Sequence, residues 1–382
     1  MASVTADDSA PGPPPLGELT ILDFSRVLAG PFATMMLADL GATVIKVERP
    51  GTGDETRAWG PPYDDHGQAT YFQAVNRNKD SVVLDLTNDG DLERTHALAA
   101  GADVIVENFR PGVMDRLGLG YEELSAAHPG LVYCSITGFG AGAGAELPGY
   151  DLLVQALGGL MSITGAPDGE PQKVGVALVD VLAGLFASVG ILAALRHRDR
   201  TGEGQRVEVN LLSALLGALV NQGSGYTIAG AVPARMGNAH PSISPYELYE
   251  TGAGDLVLAV GNDRQFAALC EVIGAPELAA DARFASNGDR VANRVELRRE
   301  LIARLAAAPA SDWARRLTAV RVPAGEVNDV RGAFELARSL GLEPTVEVPR
   351  PDGSAVALTR NPITLSRTPP SYRSAPPPLP DA

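Results

Sequence analysis

Asp180 is the residue in this sequence best placed to do chemistry. It sits in GVALVDVLAGLFASVGILAAL, between an apolar, strand-like segment and an apolar run that reads as a helix. Two roles fit a carboxylate there. It can cap the helix by accepting the first free N–H groups. The same position also prepares a nucleophile: the positive helix end lowers the carboxylate pKa and keeps it ionised, and apolar neighbours keep water away. A dry, ionised carboxylate can attack an activated acyl group. Familiar catalytic motifs are missing, with no P-loop, no HExxH and no GxSxG elbow. GFGAGAG (138–144) follows a strand-like run, but its glycines do not fit GxGxxG and no clear helix opens behind them, which argues against a dinucleotide site. Five scattered histidines and two distant cysteines, Cys134 and Cys270, give no metal-ligand spacing, so no metal is expected.

A net charge of −15 argues against non-specific nucleic-acid binding, which needs Lys and Arg to displace counterions. A small anionic ligand needs only a local basic patch. The first third offers one: Arg26, Lys46, Arg49, Arg57, Arg77, Lys79, Arg110 and Arg116. Lys46 and Arg110 are read as surface candidates within it.

These residues must be positioned by a scaffold, and the sequence predicts its class. LTILDF, ATVIKVE, SVVLDL, DVIVENF and LVYCSI read as strands, with Cys134 in the core. PFATMMLADLG reads as a helix opened by Pro31 and closed by Gly41, and DLERTHALAAG as another. Short Val/Ile-rich runs alternating with helices predict a largely parallel, doubly wound sheet. Apolar helices follow: DLLVQALGGLMSI, the run around Val181–Leu195, and LLSALLGALVNQ. Val181–Leu195 is shorter than the roughly 20 residues of a membrane span and is read as a buried helix. After about residue 225 the texture changes. PYELYETGAGDLVLAVGND predicts an antiparallel hairpin, charged helices follow, and TVEVPRPDGSAVALT predicts a second hairpin turning at Asp352-Gly353. The expected division is a large domain over 17–225 and a smaller α+β domain over 226–325, and pattern alone does not say whether 326–370 rejoins the first. Pro-rich arms, 1–16 and 371–382, are expected to be extended and poorly ordered. The first residues lack the pattern of a signal peptide, and the two cysteines are unpaired by spacing, so a reducing cytoplasm is expected.

The order of motifs resembles the class III CoA-transferases and their relative, alpha-methylacyl-CoA racemase. The resemblance runs from LTILDFSRVLAGPFATMMLADLGATVIKVERPGTGDETR through NRNKDSVVLDL, DVIVENFRPGVMDRLGLG, SITGFG, GYDLLVQALGGLMSITG, GVALVD and GILAALRHRDRTGEGQRVEVNLL to PAGEVNDV, over roughly residues 17–370. It implies a Rossmann-like large domain assembled from both chain ends, with 326–370 returning to 17–225, and ring-shaped subunits in an interlocked homodimer. It implies CoA transfer between an acyl-CoA donor and a carboxylic acid acceptor, with CoA as substrate and no tightly bound cofactor. Asp180 falls on the family's nucleophile, which passes through a mixed anhydride and an aspartyl-CoA thioester. Leu28 and Ala29 fall on the first strand–helix turn, whose backbone N–H serves the oxyanion in related enzymes; simple turn packing is the alternative. Val27, Ala29, Arg49, Leu84, Asn108, Phe109, Arg116 and Leu117 fall on the CoA site, where the arginines suit phosphates. Solvated arginines and a core Phe109 are the plainer readings.

Tyr150 falls where the racemase carries a catalytic His; the resemblance implies that the transferases tolerate a Tyr there, bordering the CoA thiol and the nucleophile in the catalytic site, and a core aromatic with a satisfied hydroxyl is the plainer reading. A phenol, which ionises near pH 10 in water, is a poor base at neutral pH, so transfer is favoured over racemisation. A non-catalytic acyl-CoA-binding protein is the remaining alternative. The acceptor region reads RMGNAHPSISPYELY, without the glycine run of formyl-CoA transferase. That departure argues against formyl and oxalate and toward larger or dicarboxylic acids, which His240 or Ser242 would meet unless they simply form a loop.

Overall fold

The structure is a computed structural model and describes residues 12–380. Six parallel strands form the central sheet: β1 (Thr20–Asp23), β2 (Thr43–Glu48), β3 (Lys79–Val83), β4 (Val104–Glu107), β5 (Val132–Thr137) and β6 (Arg206–Asn210). Their order is β3-β2-β1-β4-β5-β6. The chain therefore reverses direction across the sheet between β1 and β4, which opens a crevice at the carboxyl ends of those strands.

Alternate residues feed two cores, as the strand period of two requires. Ile21, Val44, Val104, Val106, Val132 and Cys134 point into one, with Ala33, Leu37, Ala183, Ala187 and Ile191 from helices packed on that face. Leu22, Val47, Ile105 and Tyr133 point into the other, against Met114 and Leu119. Burial on both faces is why these strands read as continuous apolar runs. The helix after β1 spans Ala29–Asp39, two residues earlier than Pro31 suggested. Proline is tolerated in this first turn because the N–H groups there have no intrahelical partner.

The apolar run behind Asp180 belongs to a helix of 24 residues, Leu178–Thr201. Two expectations change. The segment before Asp180 is no strand: Ala177 caps the helix and Asp180 is its third residue. The helix is buried on one side only. Ala183, Ala187, Ile191 and Ala194 are in the core, whereas Phe186 and Val189 are 47% and 65% exposed. Among the described residues it is also the one helix long and apolar enough to cross a membrane by length and composition. Its alanine face is spent on the sheet.

The chain divides into two compact units. One holds residues 12–160, 174–230 and 343–380; the other holds 161–173 and 231–342. The return to the first unit thus comes at 343 rather than 326, and a short excursion at 161–173 joins the second. The hairpin Thr345–Pro349 and Ala355–Thr359 is antiparallel, with Gly353 at φ 85° in its turn. In the second unit Tyr246–Glu250, Asp255–Ala259 and Ala324–Glu326 form an antiparallel sheet. It packs with Phe266, Leu297, Leu301, Trp313 and Leu317 from helices.

The C-terminal arm differs from expectation. Residues 371–380 carry no regular structure, yet they are fastened to the first unit. Asn78 N–H donates to the Ser374 carbonyl at 2.9 Å, Ser371 N–H to the Asp39 carbonyl at 2.8 Å, and Arg57 Nη2 to the Pro377 carbonyl at 3.1 Å. Of the N-terminal arm, residues 1–11 lie outside the described residues; Leu16 N–H donates to the Leu40 carbonyl.

Candidate active site

Two adjoining cavities lie at the carboxyl ends of the strands, the first beside β1, β4 and β5, where the strand order reverses, and the second beside β1, β2 and β3. The first, about 240 Å³, is walled by Val27, Leu28 and Ala29 after β1, by Asn108 and Phe109 after β4, by the loop 137–150 after β5, and by Asp180. The second, about 290 Å³, is lined by Arg49, Gly53, Asp54, Leu84 and Thr87. Arg26 and Phe109 belong to both. The Arg26 guanidinium lies over the Phe109 ring, 4.8 Å from its centroid, and forms the shared wall.

Asp180 is part-buried in the first turn of its helix. The cap is supplied from elsewhere: Asp151 Oδ1 accepts Val179 N–H at 2.8 Å and Asp180 N–H at 3.4 Å. Asp151 is steadied in turn by fully buried Gln155, whose Nε2 donates to Asp151 Oδ2 at 2.7 Å. Asp151 thus takes the capping role that the sequence reading allowed Asp180. The expectation of a lowered pKa is also overturned. Burial, and then repulsion from Asp151, push the Asp180 carboxyl up to about 7. Loss of solvation outweighs the helix end here. Proximity to Asp180 and Asp151 also raises the neighbouring Tyr71 phenol, after its own burial.

A testable pH dependence follows. If the ionised form of Asp180 reacts, kcat/KM falls about tenfold per unit below pH 7. Asp151→Asn removes the repulsion but keeps an oxygen that can accept the same helix N–H groups, so the acid limb should move to lower pH. A kcat/KM profile over pH 5–9 with its limb unmoved would show that Asp151 does not act on Asp180 through charge.

The first strand–helix turn is unusual. Val27 adopts φ 69°, a left-handed conformation that a β-branched residue rarely takes. The helix behind it has Leu28 as N-cap, with no side-chain hydrogen bond to its first amides. Asn108 clamps Arg26 from both sides: its Oδ1 accepts Arg26 N–H at 2.9 Å and its Nδ2 donates to the Arg26 carbonyl at 2.8 Å. Helix Leu178–Thr201 approaches this turn closely, since a Cβ on Gly184 would lie 2.6 Å from the Ala29 carbonyl oxygen.

The basic patch sorts into two kinds of cation. Lys46 is fully buried and pairs with Asp54 at 2.9 Å; Lys79 is fully buried against Asp23 at 3.1 Å. Arg77 is bidentate on Asp39, and Arg57 on Glu48. These four are structural, and Lys46 is not at the surface. Arg26, Arg49 and Arg110 line the cavities. Arg26 and Arg49 share the Glu55 carboxylate, at 2.8 and 3.6 Å.

Of the residues singled out by sequence, Val27, Leu28, Ala29, Arg49, Leu84, Asn108, Phe109, Tyr150 and Asp180 line one cavity or the other. Tyr150 is 65% exposed and so is not a core aromatic. Arg116 and Leu117 line neither; Arg116 is exposed and Leu117 packs against the Leu22 core. His240 and Ser242 lie in the second unit, where Asn287 Nδ2 and Arg294 Nη1 donate to their carbonyls. Sequence reading missed the loop 138–149 as a cavity wall. Its ends touch through glycine: a Cβ on Gly138 would sit 2.4 Å from the Gly149 Cα. The density of glycine after a strand was the available signal. Trp59 was missed as well; it stands in the first cavity, edge-on to Tyr71.

The model of "CoA-transferase family III" matches residues 16–381. The chain is 44% identical over 377 residues to the succinate--glutarate CoA-transferase of Agrobacterium fabrum, covering 96% of this chain and 93% of that protein. It is 42% identical to the acetyl-CoA:oxalate CoA-transferase of Acetobacter aceti, covering 92% and 89%. That relative is named for oxalate, an acceptor that the missing glycine run argued against. The crystal structure of a CAIB/BAIF family protein from Brucella suis superposes with a TM-score of 0.85 at 42% identity, covering 96% of this chain and 97% of that one. The chain belongs to CoA-transferase family III.

Proposed function

We propose that the chain moves CoA from an acyl-CoA donor to a dicarboxylic acid, with Asp180 as the covalent nucleophile. The observation that carries this reading is a desolvated carboxylate at a helix start, sharing a cavity with a second, uncapped helix start at the switch point of the sheet. Asp180 attacks the thioester carbonyl; the C–S bond breaks and CoA leaves as thiolate, giving a mixed anhydride. The thiolate then attacks the Asp180 carbonyl and expels the donor acid, leaving an aspartyl-CoA thioester. The acceptor carboxylate reverses the sequence. The amides of Leu28 and Ala29 would stabilise the oxyanion. Arg49, Leu84, Asn108, Phe109 and Val27 would hold CoA along the two cavities, with Arg49 toward phosphate. Succinyl and short dicarboxyl groups are the favoured substrates, since relatives are named for succinate, glutarate, oxalate and mesaconate. A second copy of the chain would cover the exposed apolar side of the long helix, and this supports the homodimer that the family resemblance implies.

The reading is tested by trapping. Incubation with succinyl-CoA and hydroxylamine, without acceptor, should convert Asp180 to a hydroxamate, detected by peptide mass spectrometry and absent without donor. Turnover without label would favour direct exchange between bound substrates. Exchange of the substrate α-proton with deuterated solvent, without CoA transfer, would favour a racemase.

A further inference from the structure

The first strand–helix turn is held by charges that the reaction itself does not use. Asp54 is 1% exposed and Lys46 fully buried. Asp54 accepts from four directions. Lys46 Nζ lies 2.9 Å from Oδ2, Val27 N–H donates to both oxygens at 3.3 and 3.4 Å, and Thr56 donates through its N–H at 2.9 Å and its hydroxyl at 2.7 Å. Lys46 donates a further bond, 2.9 Å, to the Ser25 carbonyl. One buried pair thus grips the turn at Ser25 and Val27 and also caps the short helix Glu55–Ala58, which leads to Trp59 in the first cavity.

A left-handed, β-branched residue does not hold its conformation unaided; the surroundings must over-determine it. At Val27 they do so through Asp54 on its own amide and Asn108 on the preceding residue. Immediately after that strained residue come Leu28 and Ala29, the uncapped helix start. We infer that Asp54, held by Lys46, is a positioning residue: it fixes the Val27 turn and thereby keeps the Leu28–Ala29 amides on the wall of the cavity that Asp180 also lines. This rests on the reaction proposed above. The nearby charges reinforce the pair. Burial opposes ionisation of both groups, but each favours the other's charged form, so Asp54 stays below the usual carboxylate range and Lys46 above the usual lysine range.

Removing one partner alone is uninformative about catalysis, because it strands a buried charge. Asp54→Leu should lower Tm by about 10 °C. The decisive variant is the double replacement Lys46→Met/Asp54→Leu, an apolar pair of similar volume that strands no charge and regains part of that Tm, the remainder being lost because the Val27 and Thr56 donors no longer have an acceptor. Two readouts are then taken on folded protein: kcat for CoA transfer from succinyl-CoA to glutarate, and amide hydrogen exchange of the segment 24–32. The expected result is a kcat reduced by about 10²-fold, the size of a lost oxyanion donor, with faster exchange in 24–32 and unchanged exchange in the helix Leu178–Thr201. Recovery of kcat to within about threefold, or unaltered exchange in 24–32, overturns the inference. Absence of donor-dependent transfer in the parent chain, or transfer that survives in Asp180→Asn, instead overturns the proposed reaction, and the exchange readout still decides whether the pair holds the turn.

Discussion

Asp180→Asn is expected to lower kcat for CoA transfer by at least about 10³-fold, the scale seen when a covalent nucleophile is removed. The amide keeps the shape of the side chain but has no anionic oxygen with which to attack the thioester. CoA affinity should stay within a few-fold, because the residues proposed to hold CoA follow β1, β2, β3 and β4 and are not on this helix. Stability should move the other way. The native Asp180 carboxyl titrates near 7 against 3.8 for its unperturbed value, so between those pH values the native state holds a proton that the unfolded chain has released. Stability therefore falls as pH rises through that window. The substitution relieves the cost, by roughly 1–3 kcal/mol at pH 8 and by much less near pH 4. Thermal melts at both pH values, alongside kcat and CoA titrations, check the claim. A variant with near-normal kcat would remove Asp180 from the mechanism.

Gly184→Ala is expected to cost about 10²-fold in kcat, although helix propensity alone would favour it by about 1 kcal/mol. Gly184 lies one turn beyond Asp180 on the same helix, against the Ala29 carbonyl. An added Cβ would stand 2.6 Å from that oxygen and 3.1 Å from the Phe32 ring. Neither the backbone nor a packed ring yields cheaply, so the helix must shift away from the turn. A displacement near 1 Å separates Asp180 from the Leu28–Ala29 amides, and reacting groups tolerate little misplacement. Gly217→Ala is the matched control. It lies in the helix Leu211–Ala218, and its Cβ would meet nothing within 4 Å. It should leave kcat unchanged. Equal kcat in both variants would mean that the spacing of helix and turn is not what matters.

How far the sequence disclosed this arrangement depended on whether the relevant contact was local. β1, β2, β4 and β5 were legible because they lie inside the sheet with both faces covered, which writes itself as Val and Ile; β3, an edge strand that is mostly part-buried, was legible through Val82 and Val83. β6, Arg206–Asn210, was not: it is an edge strand whose outward positions carry Arg206 and Glu208. Asp180 was legible as a carboxylate before an apolar run, but its cap was not, because Asp151 is 29 residues away in the chain. The basic patch misled for a similar reason. Nothing near Lys46, Arg57, Arg77 or Lys79 announces which carboxylate will neutralise it. The Pro-rich C-terminal arm was read as extended and poorly ordered, yet it is fastened to the first unit. Its attachment is decided by Asn78 and Arg57, about 300 residues earlier, which no local pattern can show. The unit boundary at 343 and the excursion at 161–173 are likewise set by distant packing.

The burial of Lys46 and Lys79 bears on how the protein withstands its own chemistry. Acyl-CoA thioesters modify amines without any catalyst, provided the amine is accessible and unprotonated. The sequence contains three lysines, Lys46, Lys79 and Lys173, and two of them are sealed under the first turn with side chains 0% exposed. Arginine, which stays protonated and is a poor acyl acceptor, supplies the remaining positive side chains apart from histidine. Of the three lysines, Lys173 is the exposed one. Acylation of Lys46 would require the Asp54 pair to come apart, so that modification would record opening of the very turn on which the proposed reaction depends.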